Sequence, residues 1–386
     1  MQNFQFMNPT KIIFGKGEVI KLSHEIPAGS KVLITYGGGS AKKTGLLDEI
    51  KTVLKDFTIG EFGGIEPNPV YETLMKAVEL IRAEKYDFLL AVGGGSVIDG
   101  TKFIAAAVPF VQADPWTFIT DGLAIKEALP FGTVLTLPAT GSEMNNGGVI
   151  TRKSLQAKLA FASPAVYPKF SVLDPVYTYT LPTRQIANGV VDAYVHVMEQ
   201  YLTYPVAAKV QDRFAEGLLL TLIEEGPKAL QEPENYDVRA NIMWSATMAL
   251  NGLIGSGVPQ DWATHMIGHE ITALYGLDHA QTLAIILPSV MQVMQVEKSD
   301  KLLQYGERIW HITGDIPIDD KIMLIIERTR NFFAIMGNKT HFSDYGLGRE
   351  VIDKILASLE SHQMVKLGEK SLVTPAVTRK ILELSL

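Results

Sequence analysis

The stretch 86–107, YDFLLAVGGGSVIDGTKFIAAA, decides the fold. Tyr86–Val92 is a short apolar run of strand length, Gly93-Gly94-Gly95-Ser96 is a turn, and Val97–Ala107 has the pattern of a helix. Strand, glycine turn and helix in succession is the unit from which parallel sheets with crossover helices are built. The unit recurs along the chain. Lys31–Tyr36 (KVLITY) ends in Gly37-Gly38-Gly39-Ser40, and Gly132–Leu137 (GTVLTL) ends in Pro138-Ala139-Thr140-Gly141-Ser142. Between the first two runs, Pro69–Glu84 carries helical periodicity.

The character changes after Leu173-Asp174-Pro175 and Thr180-Leu181-Pro182. Ile186–Tyr201, Val210–Leu222, Val238–Leu250, Asp261–Tyr275 and Lys321–Met336 all suit helices, and β-rich runs largely disappear. At 386 residues the chain exceeds the size at which one hydrophobic core stops growing. The expectation is an α/β dinucleotide-binding domain with a parallel sheet over 1–182 and an all-helical metal-binding domain over 183–386. A cleft between two domains is then the default place for a site.

Composition excludes several classes of function. Lys+Arg 35 against Asp+Glu 42 gives a net charge of −7 without a basic block, so no nucleic-acid partner is expected. The opening MQNFQFMNPT lacks a basic start followed by an apolar run, and Thr282–Met294 is too short and too broken by proline to span a bilayer. A cytoplasmic protein without membrane contact is expected. There are no cysteines, so a metal would be held by histidine and carboxylate alone.

The glycine turns are candidate phosphate sites. A turn after a strand lets backbone N–H groups approach a phosphate, and the following helix N-terminus adds a favourable dipole. Gly93–Gly100 is not the standard dinucleotide fingerprint, because Ile98 stands where a third glycine would be. A tight structural turn is the plainer alternative. At Gly37-Gly38-Gly39-Ser40 the following Lys42 and Lys43, and the absence of any acid between Tyr36 and Leu47, favour a 2′-phosphate over a bare ribose. NADP is therefore preferred over NAD.

Four of the eight histidines, 196, 265, 269 and 279, lie close together in the chain. Asp192 and His196 are four apart in a helical pattern, as are His265 and His269, so each pair shares a helix face. One carboxylate and three imidazoles would suit Zn²⁺ or Fe²⁺. Met266 stands where the zinc-protease motif needs glutamate, which argues against that class.

Taken together, these residues resemble the iron-containing, or group III, alcohol dehydrogenases, whose fold is shared with dehydroquinate synthase. The resemblance runs through GGGSVIDGTK (93–102), LPATGSE (137–143), LDPVYTYTLP (173–182), GVVDAYVHVMEQY (189–201) and the HMIGHE…DHA segment (265–280). GGGSAKKTG and FGGIEPNP point to the branch of NADP-dependent aldehyde reductases and butanol dehydrogenases. The resemblance implies a metal held by Asp192, His196, His265 and His279, with His269 a non-ligand. It implies that Gly94, Gly95 and Ser96 cradle the pyrophosphate beside Asp99. Thr136, Thr140, Asn145, Lys158 and Leu181 would line the cofactor, and Gly37, Gly38, Gly39 and Ser40 would face the adenosine end. His269 and Asp99 are the catalytic candidates, and a homodimer is implied. The chain departs from the family at His279-Ala280, where His-Gly is common, and at the shortened Pro138-Ala139.

The expected reaction is NADPH-dependent reduction of a small aldehyde to a primary alcohol, with the cation polarising the carbonyl and His269 in a proton relay. Two alternatives stand beside it. A dehydroquinate-synthase-like lyase would need a cluster of Lys and Arg that the 192–279 region lacks. A metal hydrolase without a dinucleotide would leave the glycine turns without a role.

Overall fold

A computed structural model describes residues 1–386. The chain forms two compact units: Met7–Leu181 with Glu234–Met243, and Met1–Phe6 with Pro182–Pro233 and Trp244–Leu386.

The first unit carries the strands β1 (Lys11–Phe14), β2 (Lys31–Tyr36), β3 (Thr58–Phe62), β4 (Phe88–Gly94), β5 (Phe131–Leu137), β6 (Gly147–Arg152), β7 (Ala157–Ala162) and β8 (Phe170–Leu173). Six of them make one sheet in the order β1-β8-β5-β4-β2-β3, with every neighbouring pair parallel. The central strands are buried on both faces, which is why they read as unbroken apolar runs. Phe88, Leu90 and Val92 of β4 face one core with Val32 and Ile34, while Leu89 and Ala91 face the other. Helix α1 (Leu46–Val53) packs on the first of these faces through Leu46, Leu47 and Ile50. Helices α2 (Tyr71–Glu84) and α3 (Gly95–Ala107) pack on the opposite face.

This arrangement fixes where a ligand can bind. The crossover from β2 runs outward to β3, whereas the one from β4 runs the other way to β5. The carboxyl ends of β2 and β4 therefore flank a topological switch point, the place where open α/β sheets bind ligands. Both glycine turns stand there. The sequence did not reveal the antiparallel β6–β7 hairpin, which pairs Gly147↔Ala162 through Arg152↔Ala157.

The second unit is helical. Its helices are α4 (Thr183–Tyr201), α5 (Lys209–Gln231), the end of α6 (Tyr236–Ala249), α7 (Ala263–Tyr275), α8 (His279–Val293), α9 (Ser299–Trp310), α10 (Ile318–Ile335), α11 (Val351–Ser361) and α12 (Pro375–Leu384). A core of Ile267, Ile271, Ile285, Ile286, Val290, Ile355 and Ile381 joins α7, α8, α11 and α12. The apolar run 282–294 is mostly buried within α8. No helix is long and apolar enough to cross a membrane.

Candidate active site

In the helical unit, three helices gather Asp192, His265 and His279 into one donor cluster, with His196 beside Asp192. Helix α4 follows Pro182 and carries Asp192, His196 and Glu199 at i, i+4 and i+7, which is one face. Helix α7 carries His265 and His269. Helix α8 opens with His279, fixed by a reciprocal capping box between Asp278 and Gln281. Asp278 is in turn held by Arg184 at 2.6 Å and Asn188 at 2.7 Å, both on α4.

Asp192 Oδ1 is the focus. His279 Nε2 lies 3.6 Å from it, and His265 Nε2 and His196 Nδ1 each lie 3.9 Å away. Donor atoms of Asp192, His265 and His279 all fall within 4.8 Å of one another. Ligands bonded at 2.0–2.2 Å around a tetrahedral ion stand roughly 3.3–3.6 Å apart, so the spacing fits a divalent metal with small adjustments. The His196 ring stacks on His265 with centroids 4.5 Å apart. Its buried Nδ1 has no hydrogen-bond partner, and burial pushes the imidazole down to about 4, with Asp192 pulling the other way. A neutral imidazole with an open nitrogen is what a metal requires of a ligand.

His269 is buried as well, its ring centroid 5.1 Å from His279 and 6.2 Å from His265. Two further residues belong to this site although they were not picked from the sequence. Glu199 hydrogen-bonds His265 Nδ1 through Oε2 and accepts the Thr264 N–H at 2.6 Å through Oε1. Burial and the nearby Asp261 push its carboxyl well above the usual carboxylate range. The signal for Glu199 was its place on the Asp192–His196 face. Trp262 sets its indole edge against His265 and His196, at 5.4 and 6.2 Å.

In the α/β unit, the turn at the end of β4 is packed so tightly that side chains are excluded. A Cβ on Gly94 would stand 2.9 Å from Leu137 Cβ, and one on Gly95 would stand 2.4 Å from Thr140 Oγ1. Helix α3 starts here with no side-chain cap and no acid in its first turn, leaving its N–H groups to an outside acceptor. Ser96 is half-buried, and its Oγ accepts the Asn68 N–H at 3.2 Å. Thr136 sits where the β4–β5 register shifts at Gly93/Gly94. Gly37 packs near Val97 and Ile65, while Gly38 and Ser40 are exposed, with open space around Gly38. Gly39 takes φ 101° ahead of Ser40, and Lys42 and Lys43 are exposed beyond it. Glu61, an acid on the neighbouring strand β3, is already engaged by Lys51 at 2.5 Å and Tyr36 Oη at 3.2 Å.

Asp99 has both carboxylate oxygens occupied, by Ser142 Oγ at 2.6 Å and the Val149 N–H at 2.9 Å. That is the geometry of a residue holding two segments together. Burial pushes its carboxyl up, against the pull of Lys102 and of the two hydrogen bonds. Lys102 was not picked from the sequence. It is fully buried and donates to Asn145 Oδ1 and Gly147 O, both at 2.7 Å. Asn145 Nδ2 also reaches Thr140 O at 3.4 Å, within the segment after β5 that Asp99 and Lys102 tie to α3 through Ser142, Asn145, Gly147 and Val149. Lys158 is buried in β7, paired in register with Thr151. Leu181 is half-buried beyond β8, its N–H bonded to Thr178 O, and no hydrogen bond links it to the glycine turns.

Comparison with known proteins agrees along the whole chain. Residues 9–175 match the iron-containing alcohol dehydrogenase family, and residues 186–372 match its C-terminal counterpart. The chain is 62% identical to the NADPH-dependent aldehyde reductase YqhD of Escherichia coli (strain K12), over 99% of each chain. It is 44% identical to the probable NADH-dependent butanol dehydrogenase 1 of Bacillus subtilis (strain 168), over 92% of each. The crystal structure of Escherichia coli K-12 YqhD superposes with a TM-score of 0.98 at 61% identity, covering 100% of this chain and 99% of that one. The chain therefore belongs to the iron-containing alcohol dehydrogenase family.

Proposed function

We propose that this protein is a metal-dependent, NADP(H)-linked alcohol dehydrogenase that reduces small aldehydes to primary alcohols. The observation that carries the reading is the convergence of three imidazoles on Asp192 Oδ1 within 3.9 Å, in a chain whose glycine turns occupy the switch point of a parallel sheet. The similarity to an NADPH-dependent aldehyde reductase over nearly the full length supports the same reading.

Asp192, His196, His265 and His279 would hold one divalent ion, and this donor set suits Zn²⁺ as well as Fe²⁺. Such an ion supplies Lewis acidity toward a carbonyl oxygen. NADPH supplies the hydride. The residues themselves do the rest. Burial keeps His196 neutral and ready to ligate, and Glu199 fixes the ring of His265. Gly94, Gly95 and Ser96 present N–H groups to the pyrophosphate. Gly37–Ser40, with Lys42 and Lys43, leave room and positive charge for the 2′-phosphate. Thr136, Thr140, Asn145, Lys158 and Leu181 line the rest of the cofactor. Lys102 and Asp99 keep the 140–149 segment in place, so we assign Asp99 a positioning role. His269, packed against His279 but outside the ligand set, moves the proton that the product alcohol gains.

Loss of nicotinamide absorbance with butanal tests this directly. NADPH should be oxidised much faster than NADH, chelation should abolish the reaction, and His269→Ala should slow it without loss of bound metal. No oxidation of either nucleotide by the metal-loaded protein would return the lyase and hydrolase readings.

A further inference from the structure

Trp262 occupies a place where its backbone does not belong. It precedes helix α7 at φ 65°, ψ 4°, the left-handed region that bulky residues avoid. The surroundings hold it there. Asp261 Oδ1 accepts the Ala263 N–H at 2.9 Å, and Asp261 Oδ2 is 2.7 Å from Lys298 Nζ. Lys298 is itself buried, and also binds Glu369 at 2.9 Å and the Leu202 carbonyl at 2.6 Å. At the other end the indole Nε1–H donates to Gln260 Oε1 at 2.9 Å. Strain of this kind persists only where neighbours over-determine it, and it concentrates at working sites.

The strain places the indole. Trp262 is one helical turn before His265, and its ring meets His265 at 5.4 Å and 72° and His196 at 6.2 Å and 60°. The imidazoles of His196, His265 and His269 are nearly inaccessible, at 4% exposure each, whereas Trp262 is half-buried. It is thus a large apolar group, partly open to solvent, standing directly on the candidate metal cluster.

From this we infer that Trp262 is a specificity-determining residue: its indole walls the space beside the cluster and limits the aldehyde to a short, unbranched apolar chain. The inference rests on the aldehyde-reductase reading above. A hydrophobic pocket discriminates by size, with one to two orders of magnitude available from removing a wall.

The test compares kcat/KM for 3-phenylpropanal with that for butanal on the same preparation, so that incomplete folding or metal loading cancels. Trp262→Gly suits a positive φ and opens the wall; the ratio should rise at least tenfold. Trp262→Phe keeps an aromatic wall, and the ratio should stay within about threefold of the unsubstituted enzyme. If Trp262→Gly yields no active enzyme, Trp262→Leu carries the same expectation. A second readout needs no turnover. Co²⁺ added to the metal-free protein should quench indole fluorescence, and Trp262→Phe should lose most of that quenching. An unchanged ratio in an enzyme that reduces butanal, or quenching untouched by Trp262→Phe, overturns the inference alone. Failure of the unsubstituted, metal-loaded enzyme to reduce butanal overturns the functional reading and the inference with it.

Discussion

Lys102 shows how a single buried charge can organise a site from behind. Its ammonium has no water contact and is held by Asn145 Oδ1 and Gly147 O. Desolvation pushes it from its ordinary 10.5 down to about 8, with Asp99 and Glu143 pulling it back up. The unfolded chain keeps that proton to a higher pH, so between about pH 8 and 10.5 it binds more protons than the folded protein does. Stability contributed at this position therefore rises with pH across that window. The unfolding free energy of the unsubstituted protein minus that of Lys102→Met should grow by about 1–3 kcal/mol from pH 7.5 to 10.5, measured by denaturant titration. A difference that stays constant would contradict the assignment. Nothing in the sequence marked Lys102, because a lysine three residues after Asp99 in a helix reads equally well as a solvated side chain. The histidine candidates stood out for the opposite reason: histidine is scarce in this chain, and four of the eight lie between 196 and 279, although the repeated spacing alone would have paired His269 with His265 as ligands.

At the scale of the element, α4 concentrates the information. Its face carries Asp192, His196 and Glu199, and the carboxylate of Glu199 ties α4 to the first turn of α7. Glu199→Gln keeps an acceptor for the Thr264 N–H but replaces the carboxyl oxygen that meets His265 Nδ1 with an amide group. Metal affinity should fall about 10- to 100-fold, read by competition with a chromogenic chelator, while far-ultraviolet circular dichroism is unchanged. Equal affinity would show that Glu199 does not orient the ligand. The sequence showed the core elements best where burial is complete. β2, β4 and β5 are apolar on both faces, so their runs stood out. The β6–β7 hairpin was not read because the β-branched run of β6 is only Val149–Thr151, behind two glycines, and AKLAFA is rich in alanine, so their pairing is a tertiary outcome. The hairpin also lies close to its surroundings at Gly148, where a Cβ would press on the Phe161 ring at 3.0 Å.

At the scale of the whole molecule, the passage from an α/β part to a helical part was readable from the loss of β-rich runs along the chain. The finer membership of the two units was not. Met1–Phe6 groups with the helical unit through contacts such as the Gln2 N–H on Gly257 O, at 2.9 Å. Glu234–Met243 groups with the α/β unit, where the buried Arg239 clamps Thr178 through its hydroxyl at 2.8 Å and its carbonyl at 2.5 Å. Such long-range contacts leave no periodicity to read. In the proposed reaction, hydride passes from the nicotinamide to the carbonyl carbon of a small aldehyde. The most direct measurement supplies NADPH deuterated on one face of nicotinamide C4, with butanal, and locates the label by mass spectrometry and NMR. Direct transfer puts one deuterium at C1 of the butanol from one of the two C4-labelled forms, none from the other, and no carbon-bound deuterium when unlabelled NADPH is used in D₂O. Solvent deuterium at C1, or butanol formed without label from either form, would contradict it.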